Sequence, residues 1–447
     1  MLASRSGAAS GRGRARDEES RRVSGPHRTR EPSVSRRCVR IPMERLVTAM
    51  LACLSVLVSL PPGVLAIERL EVEEEIASLM PEQKKELDEV AGRQWAVLPQ
   101  IGFGPETGAI AGVKFVNRNL FGNGTTLDVE GLYSIQANRV ARMTLAAPPF
   151  LSDRLLVLFR GAYVVDPQRR FFGLGNNDQG PTAASTNQIE DIRAGLTLGW
   201  RALEDLSFNL EMGWRRANIS NGRMLDDLPF TPDEFPNVTG VDGGTVAPIA
   251  LSLVWNSRDD VFHPTEGWRV ILKALHANKA IGGDFEFSQF IGDLGYLRSF
   301  FDNRLTLAAR ANGEQILGPD QAVPFWEMAE LGGDDTLRGF FPFRFYGTGR
   351  VLVNAEARFK ILEFDFFDLW HVRLGGAVFG DAGRVFISEE AIREEEGESA
   401  RGEVKRYRFD YGFGVRISLS EALVARIDVG FSEEETALLY LAFGQTF

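Results

Sequence analysis

Cysteine is scarce in this sequence of 447 residues. It occurs twice, at Cys38 and Cys53, and both positions lie among the first 66 residues. That stretch has the features of a leader that is removed from the working protein. The remaining chain would then hold no thiol, which excludes disulfide bonds, cysteine–metal sites and a cysteine nucleophile together.

Histidine and the usual catalytic motifs are scarce as well. The histidines beyond the leader, His263, His276 and His371, are widely separated. We find no H-x-x-x-H pair, phosphate-binding loop, dinucleotide glycine motif in a strand–helix context or G-x-S-x-G elbow. We therefore expect no enzymatic activity, no cofactor and no metal site. A glutamate-rich run from Glu389 to Glu398 is compatible with a divalent cation, but a solvated external loop is the simpler interpretation.

The sequence also lacks an excess of positive charge and long apolar runs. The sequence has 50 basic and 61 acidic residues, a net charge of −11, whereas nucleic-acid-binding proteins carry a basic footprint. Its mean hydropathy is −0.11, and beyond the leader no stretch is apolar enough for a bundle of membrane helices. A nucleic-acid partner and a helical membrane protein are both excluded.

The first 93 residues divide into three predicted segments. Residues 1–42 are rich in Arg and Ser, and we interpret them as an overlong start or a disordered leader. Residues 43–66 contain an apolar run of 15 residues and end in small residues, which predicts a secretory signal peptide cleaved before Ile67. An organellar transit peptide and a lipoprotein site at Cys53 are the alternatives. Residues 67–93, with nine acidic and four basic residues, predict a short acidic periplasmic helix or tether.

From about Trp95 onward, apolar residues recur at every second position. Between Tyr407 and Leu419 every second residue is apolar or aromatic, and the residues between them are polar, charged or glycine. Such alternation predicts strands with one apolar and one polar face. A soluble sandwich gives the same pattern, but its strands are usually about five to six residues long. The strands here run to about ten residues or more, the length that crosses a bilayer in a β-barrel.

Sixteen strands are predicted, an even number as a closed bacterial barrel requires. They span residues 96–104, 109–118, 126–136, 139–149, 154–166, 188–202, 206–218, 246–258, 267–279, 285–299, 304–316, 349–363, 371–386, 405–419, 422–433 and 437–447. If the chain starts in the periplasm, the long connections at 167–187, 219–245, 317–348 and 387–404 all fall outside. Short periplasmic turns with longer external loops are typical of such barrels. The predicted fold is all-β, a 16-stranded antiparallel transmembrane barrel over residues 94–447.

Several short motifs occur in order along this barrel. They read SRDD and PTEG in the turn after strand eight, LGGDDTLRGF from Leu331, NAEARF from Asn354, FGDAG from Phe379 and GQTF at the C-terminus. A further segment, FFGLGN from Phe171, lies in an external loop. Together these motifs resemble the bacterial surface antigen family, a superfamily of outer-membrane assembly factors and two-partner-secretion transporters.

The resemblance implies a fold detail and a location. In that family the Arg-Gly-Phe/Tyr motif lies in the sixth external loop, which folds back into the barrel lumen, and the last residues form an assembly signal. Members of the family are integral to the bacterial outer membrane and typically carry periplasmic polypeptide-transport-associated domains, for which residues 67–93 are too short. The residues that match the assembly signal are Leu439, Leu441, Phe443, Gly444 and Phe447.

The loop motif also permits a physical prediction. A guanidinium carried into a lumen needs an acid, because arginine is always charged. Alternation places Asp381 on an inward face, so we expect Arg338 to pair with Asp381, with Glu356 as second choice and Arg358 beside it. Gly339 would let the backbone pass close to the wall, and Phe340 would pack against lumen aromatics. The alternative is that Arg338 points into solvent from a mobile external loop.

Three functions remain open at this point. The first is a short surface-antigen barrel that assists outer-membrane protein assembly or the translocation of polypeptide or lipid. The second is a passive or gated channel, and the third is a structural or adhesive surface protein. We expect a monomeric barrel whose partners are outer-membrane lipid and, for the first function, nascent barrels or periplasmic proteins.

Overall fold

The computed structural model describes residues 95–147, 154–180, 183–222, 228–260, 263–318, 323–366, 370–397, 405–419, 423–443 and 445–446. The predicted leader, signal peptide and acidic tether lie outside these residues. Within these ranges, no helix has the length and apolar character needed to cross a membrane.

The architecture is a closed antiparallel barrel of 16 strands, which confirms the predicted fold class. In chain order the strands are β1 (Trp95–Gly104), β2 (Gly108–Asn117), β3 (Thr126–Ser134), β4 (Arg139–Ala146), β5 (Leu155–Phe171), β6 (Ser185–Arg201), β7 (Leu206–Ser220), β8 (Gly244–Val246 and Pro248–Asn256), β9 (Gly267–Ala277), β10 (Phe287–Phe300), β11 (Leu305–Leu317), β12 (Gly349–Phe366), β13 (Trp370–Phe386), β14 (Arg408–Leu419), β15 (Leu423–Ser432) and β16 (Leu438–Phe443). Each strand pairs with its neighbours in sequence, and β16 pairs with β1 to close the sheet.

Smaller elements lie in the connections between strands. The helices are α1 (Thr231–Glu234) and α2 (Glu389–Glu396), and 3₁₀ turns cover Lys279–Ile281 and Phe325–Glu327. Between β11 and β12, the segments Ala329–Leu331 and Phe345–Gly347 pair as a separate two-stranded sheet. We call residues 323–348 the inserted loop.

The alternating sequence produces the two faces of the wall. Along β7, Phe208, Met212 and Trp214 are exposed on the outside, whereas Ser207 and Asn209 are buried on the lumen side. A wall that is apolar outside and polar inside is the arrangement that a barrel in lipid requires.

Some strands differ in length from the predicted ones. β5 runs five residues beyond its predicted end, to Phe171, and β6 begins three residues early, at Ser185. The two strands continue together above the wall and support the external loops. β16 ends at Phe443, before the predicted 447, and Gly444 and Phe447 lie outside the described residues.

The main apolar core lies at the end of the barrel that carries the long loops. Phe171 is at its centre, with ring centroids 5.1 Å from Phe235, 5.1 Å from Phe325 and 5.4 Å from Tyr346. Buried residues from six strands and from all four long connections join the same cluster: Leu174, Ile189, Ala217, Val238, Val246, Ala277, Phe287, Ile316, Val323, Trp326, Met328, Ile387, Ala391 and Ile392. The external end of the lumen is therefore filled by packed side chains.

The glutamate-rich run corrects one prediction. Residues Glu389–Glu396 form α2, whose N-cap Ser388 accepts a hydrogen bond from the Ala391 amide. Two of its acids are buried. Glu395 accepts from the amide and hydroxyl of Thr239, at 2.7 and 3.0 Å, and Glu396 accepts from the Leu174 amide. The solvated loop was wrong for these residues because their carboxylates tie together three external connections.

Candidate functional site: a loop anchored inside the barrel

The tip of the inserted loop lies against the inner wall of the barrel. Arg338 and Phe340 are both 0% exposed, although they lie in the connection between β11 and β12. The tip contacts side chains of β12 to β16, on the same side of the barrel as the closing seam. The loop thus occupies the lumen rather than the external surface.

Backbone conformation turns the chain at the start of the motif. Gly332 and Gly333 have φ of 110° and 106°, which favour glycine. The Gly332 amide donates to Thr336 Oγ1 at 2.8 Å, and the Gly333 amide donates to the Phe340 carbonyl at 3.2 Å. These bonds close a compact turn that presents Arg338 to the wall.

Arg338 is held by Asp381 of β13. Its Nε donates to Oδ2 at 2.8 Å and its Nη2 donates to Oδ1 at 2.9 Å, so the two groups meet in a bidentate pair. The guanidinium carbon lies 3.4 Å from the centre of the Phe379 ring, one inward position away on β13. Asn354 of β12 donates to Asp381 Oδ1 at 2.8 Å and fixes the carboxylate from the other side. Arginine forms such planar bidentate pairs and stacks on aromatic rings, whereas the point charge of lysine does not do so equally well.

A second layer of charge surrounds this pair. Arg338 Nη1 lies 3.5 Å from Glu356 Oε2 and 3.9 Å from Asp428 Oδ2. Arg416 joins the same two acids, at 2.5 Å each, and Arg358 Nη2 lies 3.6 Å from Glu356. Of the two acids that the sequence suggested, Asp381 makes the short contacts and Glu356 belongs to this outer layer.

Two glycines allow the loop backbone to touch the wall. A Cβ on Gly339 would lie 2.6 Å from Asp410 Cβ, and one on Gly430 of β15 would lie 2.2 Å from the Arg338 carbonyl oxygen. Real Cβ atoms do not approach that closely, so any larger residue at either position would displace the loop.

Phe340 has an aromatic neighbour inside the lumen. Its ring packs against Phe345 of the same loop, with centroids 5.4 Å apart. The wall contributes Leu352 and Val385 to the same buried cluster, and the loop also contributes Leu331 and Leu337. The loop therefore carries part of its own core into the lumen.

Three polar residues of this region could not be identified from the sequence. Tyr440 of β16 donates to the Phe340 carbonyl at 3.0 Å, and Arg426 of β15 lies 2.9 Å from Asp334 and 2.8 Å from Asp335. Asp410 of β14 lies in register with Asp381 and is buried. Alternation placed all three on inward faces, but it carries no signal for which loop atoms they meet.

The external connection between β1 and β2 carries an acid, Glu106, whose side chain is only 10% exposed. Glu106 Oε1 lies 3.5 Å from Arg170 Nε, and the Arg170 guanidinium covers the Phe341 ring at 4.6 Å. Burial raises the pKa of the Glu106 carboxyl from 4.5 to about 8, although Arg170 opposes the shift. Arg170 of β5 therefore lies between this acid and the inserted loop.

The seam between the first and last strands is narrow in the part of the chain that the structure describes. Among the described residues, β1 and β16 share one register pair, Phe103 with Leu441, whereas β1 and β2 share ten and β15 and β16 share six. On β16, Leu438 and Tyr440 are buried toward the lumen. Leu439 and Leu441 therefore alternate onto the outer face.

The sequence identifies the family of this barrel. Residues 119–447 match the Omp85 superfamily domain. The chain belongs to the Omp85 superfamily. It is accordingly an integral protein of the outer membrane. No curated protein sequence matches the chain.

Solved structures agree with this assignment at the level of the fold. BamA from Haemophilus ducreyi lacking POTRA domains 1–3 is similar over 78% of this chain and 70% of that one, with 15% identity and a TM-score of 0.58. CdiB from Escherichia coli is similar over 78% of this chain, with 13% identity and a TM-score of 0.53. This Omp85 chain spans 62% of the CdiB chain.

Proposed function

We propose that this Omp85 protein assists the insertion of other β-barrel proteins into the outer membrane, a non-enzymatic role within the assembly and translocation functions of its superfamily. The observation that carries the proposal is the contrast between a packed external end and a seam at which the described residues of β1 and β16 share one register pair. The proposed partners are outer-membrane lipid and nascent barrels, delivered with or without periplasmic proteins.

The external end argues against a passive channel. Phe171, Phe325 and Tyr346 meet across the mouth within one apolar cluster that draws on strands from β5 to β11. A solute that crossed the lumen would have to pass through this core, which is packed and apolar. Porin-like barrels instead leave an aqueous path.

The seam supports insertion by a physical argument. Strands joined over a short stretch separate at lower cost than strands joined along their length, since fewer hydrogen bonds must break. Separation of β1 from β16 would expose two strand edges to the membrane. Unpaired edges are templates on which an incoming strand can add through main-chain hydrogen bonds.

Assisted folding into liposomes tests this proposal. An unfolded outer-membrane barrel is diluted into liposomes that hold this protein and a trapped dye, and folding is followed by its mobility on unheated gels. We expect folding several-fold faster than in empty liposomes, without dye release. Equal folding rates in the two preparations would contradict the proposal, and dye release without faster folding would favour the channel.

A further inference from the structure

We propose that contacts with the inserted loop, and not strand pairing between β16 and β1, set the position of the hairpin β15–β16 at the seam. Arg344 and Tyr440 are the positioning residues. The inference rests on the proposed function in that it concerns the seam through which clients would leave. It is carried by contacts between the loop and this hairpin at three heights along the lumen.

The upper contact is an ion pair at the external turn of the hairpin, with side chains 0% and 10% exposed. Arg344 of the loop is 0% exposed, and its Nε and Nη2 donate to Glu434 at 2.6 and 2.9 Å. Its guanidinium carbon lies 4.5 Å from the Phe345 ring and 5.0 Å from the Phe172 ring. An arginine that is both paired and stacked has one orientation, so Glu434 and its turn are held at a fixed place.

The upper contact has a companion from β14. Arg408, which is 1% exposed, lies 2.5 Å from Glu433 and donates to the Asn177 carbonyl at 2.8 Å. Arg344 also donates to the Asn177 carbonyl, at 3.2 Å. The two arginines thus clamp the turn between β15 and β16 against the connection that follows β5.

The middle contact reaches the last strand directly. Tyr440 is 4% exposed and donates to the Phe340 carbonyl at 3.0 Å. Phe340 is itself fixed in the buried cluster of the loop and follows Arg338 by two positions. Tyr440 lies one residue from Leu441, the residue of β16 that is in register with Phe103 of β1. Its hydroxyl is therefore a link between the anchored loop and the seam.

The lower contact runs through β15 to the chain beyond β16. Arg426 Nη2 meets Asp334 and Asp335 of the loop at 2.9 and 2.8 Å. Its Nη1 donates to Thr446 Oγ1 at 2.6 Å. One guanidinium thereby connects the turn of the loop, β15 and the segment that follows β16.

Among the described residues, the hairpin makes more contacts with the loop than register pairs with β1. The loop is in turn fixed to β13 through Arg338 and Asp381, so a connected set of polar contacts runs from β13 to β16 inside the lumen. A shift of the loop would carry the hairpin with it, whereas β1 would stay with β2. Loop position and seam pairing are thus coupled.

Cross-linking at the seam tests the coupling without any client. Phe103→Cys and Leu441→Cys are introduced into the full chain with Cys38→Ser and Cys53→Ser, and the rate of disulfide formation under a mild oxidant is measured in detergent or liposomes. Tyr440→Phe, which keeps the ring, and Arg344→Gln should each lower this rate several-fold. Tyr163→Phe is the matched control, because the Tyr163 hydroxyl donates to Glu190 on the exposed face of the wall.

A reference pair within the hairpin shows whether the variants remain folded. Val429→Cys and Leu439→Cys replace residues in register on β15 and β16, and their cross-linking should be the same in all variants. If the seam pair in Tyr440→Phe and in Arg344→Gln reacts as fast as in the control, the coupling is wrong. Because no client is present in this experiment, such a result would not contradict the proposed insertion function. Conversely, a failure to accelerate client folding in the liposome experiment would not contradict the coupling.

Discussion

Arg338 and Asp381, 43 residues apart in the sequence, form a bidentate pair whose side chains are both 0% exposed. The alternation of β13 indicated that Asp381 faces inward. The structure adds that the loop covers the pair completely, so that neither side chain is exposed to solvent. Removing one member of a buried pair leaves an uncompensated charge, which typically costs about 3–5 kcal/mol.

The first prediction concerns this pair. Arg338→Ala should lower the free energy of unfolding by about 3 kcal/mol or more, because Asp381 would remain buried without its partner. Arg338→Lys should recover little, since a point charge cannot form the planar pair or stack on Phe379. Urea unfolding in detergent, followed by mobility on unheated gels, measures both.

The matched control for that experiment is Arg298, whose pair with Glu266 is 58% exposed on both sides at 3.3 Å. Arg298→Ala should change the unfolding free energy by less than about 1 kcal/mol. If Arg338→Ala and Arg298→Ala unfold at the same urea concentration, the loop is not anchored by this pair.

A second prediction uses the close approach of the loop to β15. Gly430→Ala should destabilise the barrel by about 1–3 kcal/mol, because the new Cβ would lie 2.2 Å from the Arg338 carbonyl oxygen. Gly131→Ala is the control, since no atom lies within 4 Å of a Cβ at that position on β3. Proteolysis of the loop in the folded protein reports its displacement, and equal resistance of the two variants would argue against the packed tip.

A third prediction concerns pH. The pKa of Glu106 is about 8 in the folded protein against 4.5 as its ordinary value, so the folded state binds the proton more tightly than the unfolded state. Stability should therefore fall as the pH rises from about 4.5 to about 8. Thermal unfolding of the wild type should show this fall between pH 5.5 and 8.5, and Glu106→Gln should reduce it. An unchanged slope in the variant would assign the effect to other groups.

The wall of the barrel was predictable because it repeats one local rule many times. Every second residue of a strand such as β14 faces lipid, so the alternation shows both the strand and its inward face. Strand ends at short turns were predictable for the same reason. Two features of the wall could not be predicted in this way. The interruption of β8 at Ala247 breaks the alternation locally. The extension of β5 to Phe171 depends on the loops that cover the strand.

The interior was predictable only where a motif marked it. Arg338 and Asp381 were identified because one belongs to a recognisable loop and the other to an inward face. Tyr440, Arg344 and Arg426 were missed because each meets its partner only after the loop has entered the barrel. The partners are the Phe340 carbonyl, Glu434 of the β15–β16 turn, and Asp334 and Asp335 of the loop. The aromatic partner of Phe340 could not be named from the sequence, since the loop itself supplies it as Phe345.

Reversible closure of the seam tests the central claim most directly. The full chain with Phe103→Cys and Leu441→Cys, and with Cys38→Ser and Cys53→Ser, is placed in liposomes and offered an unfolded barrel client, first oxidised and then reduced. The account predicts that the oxidised protein folds the client no faster than empty liposomes do and that reduction restores the acceleration. Equal acceleration in the oxidised and reduced states would contradict it.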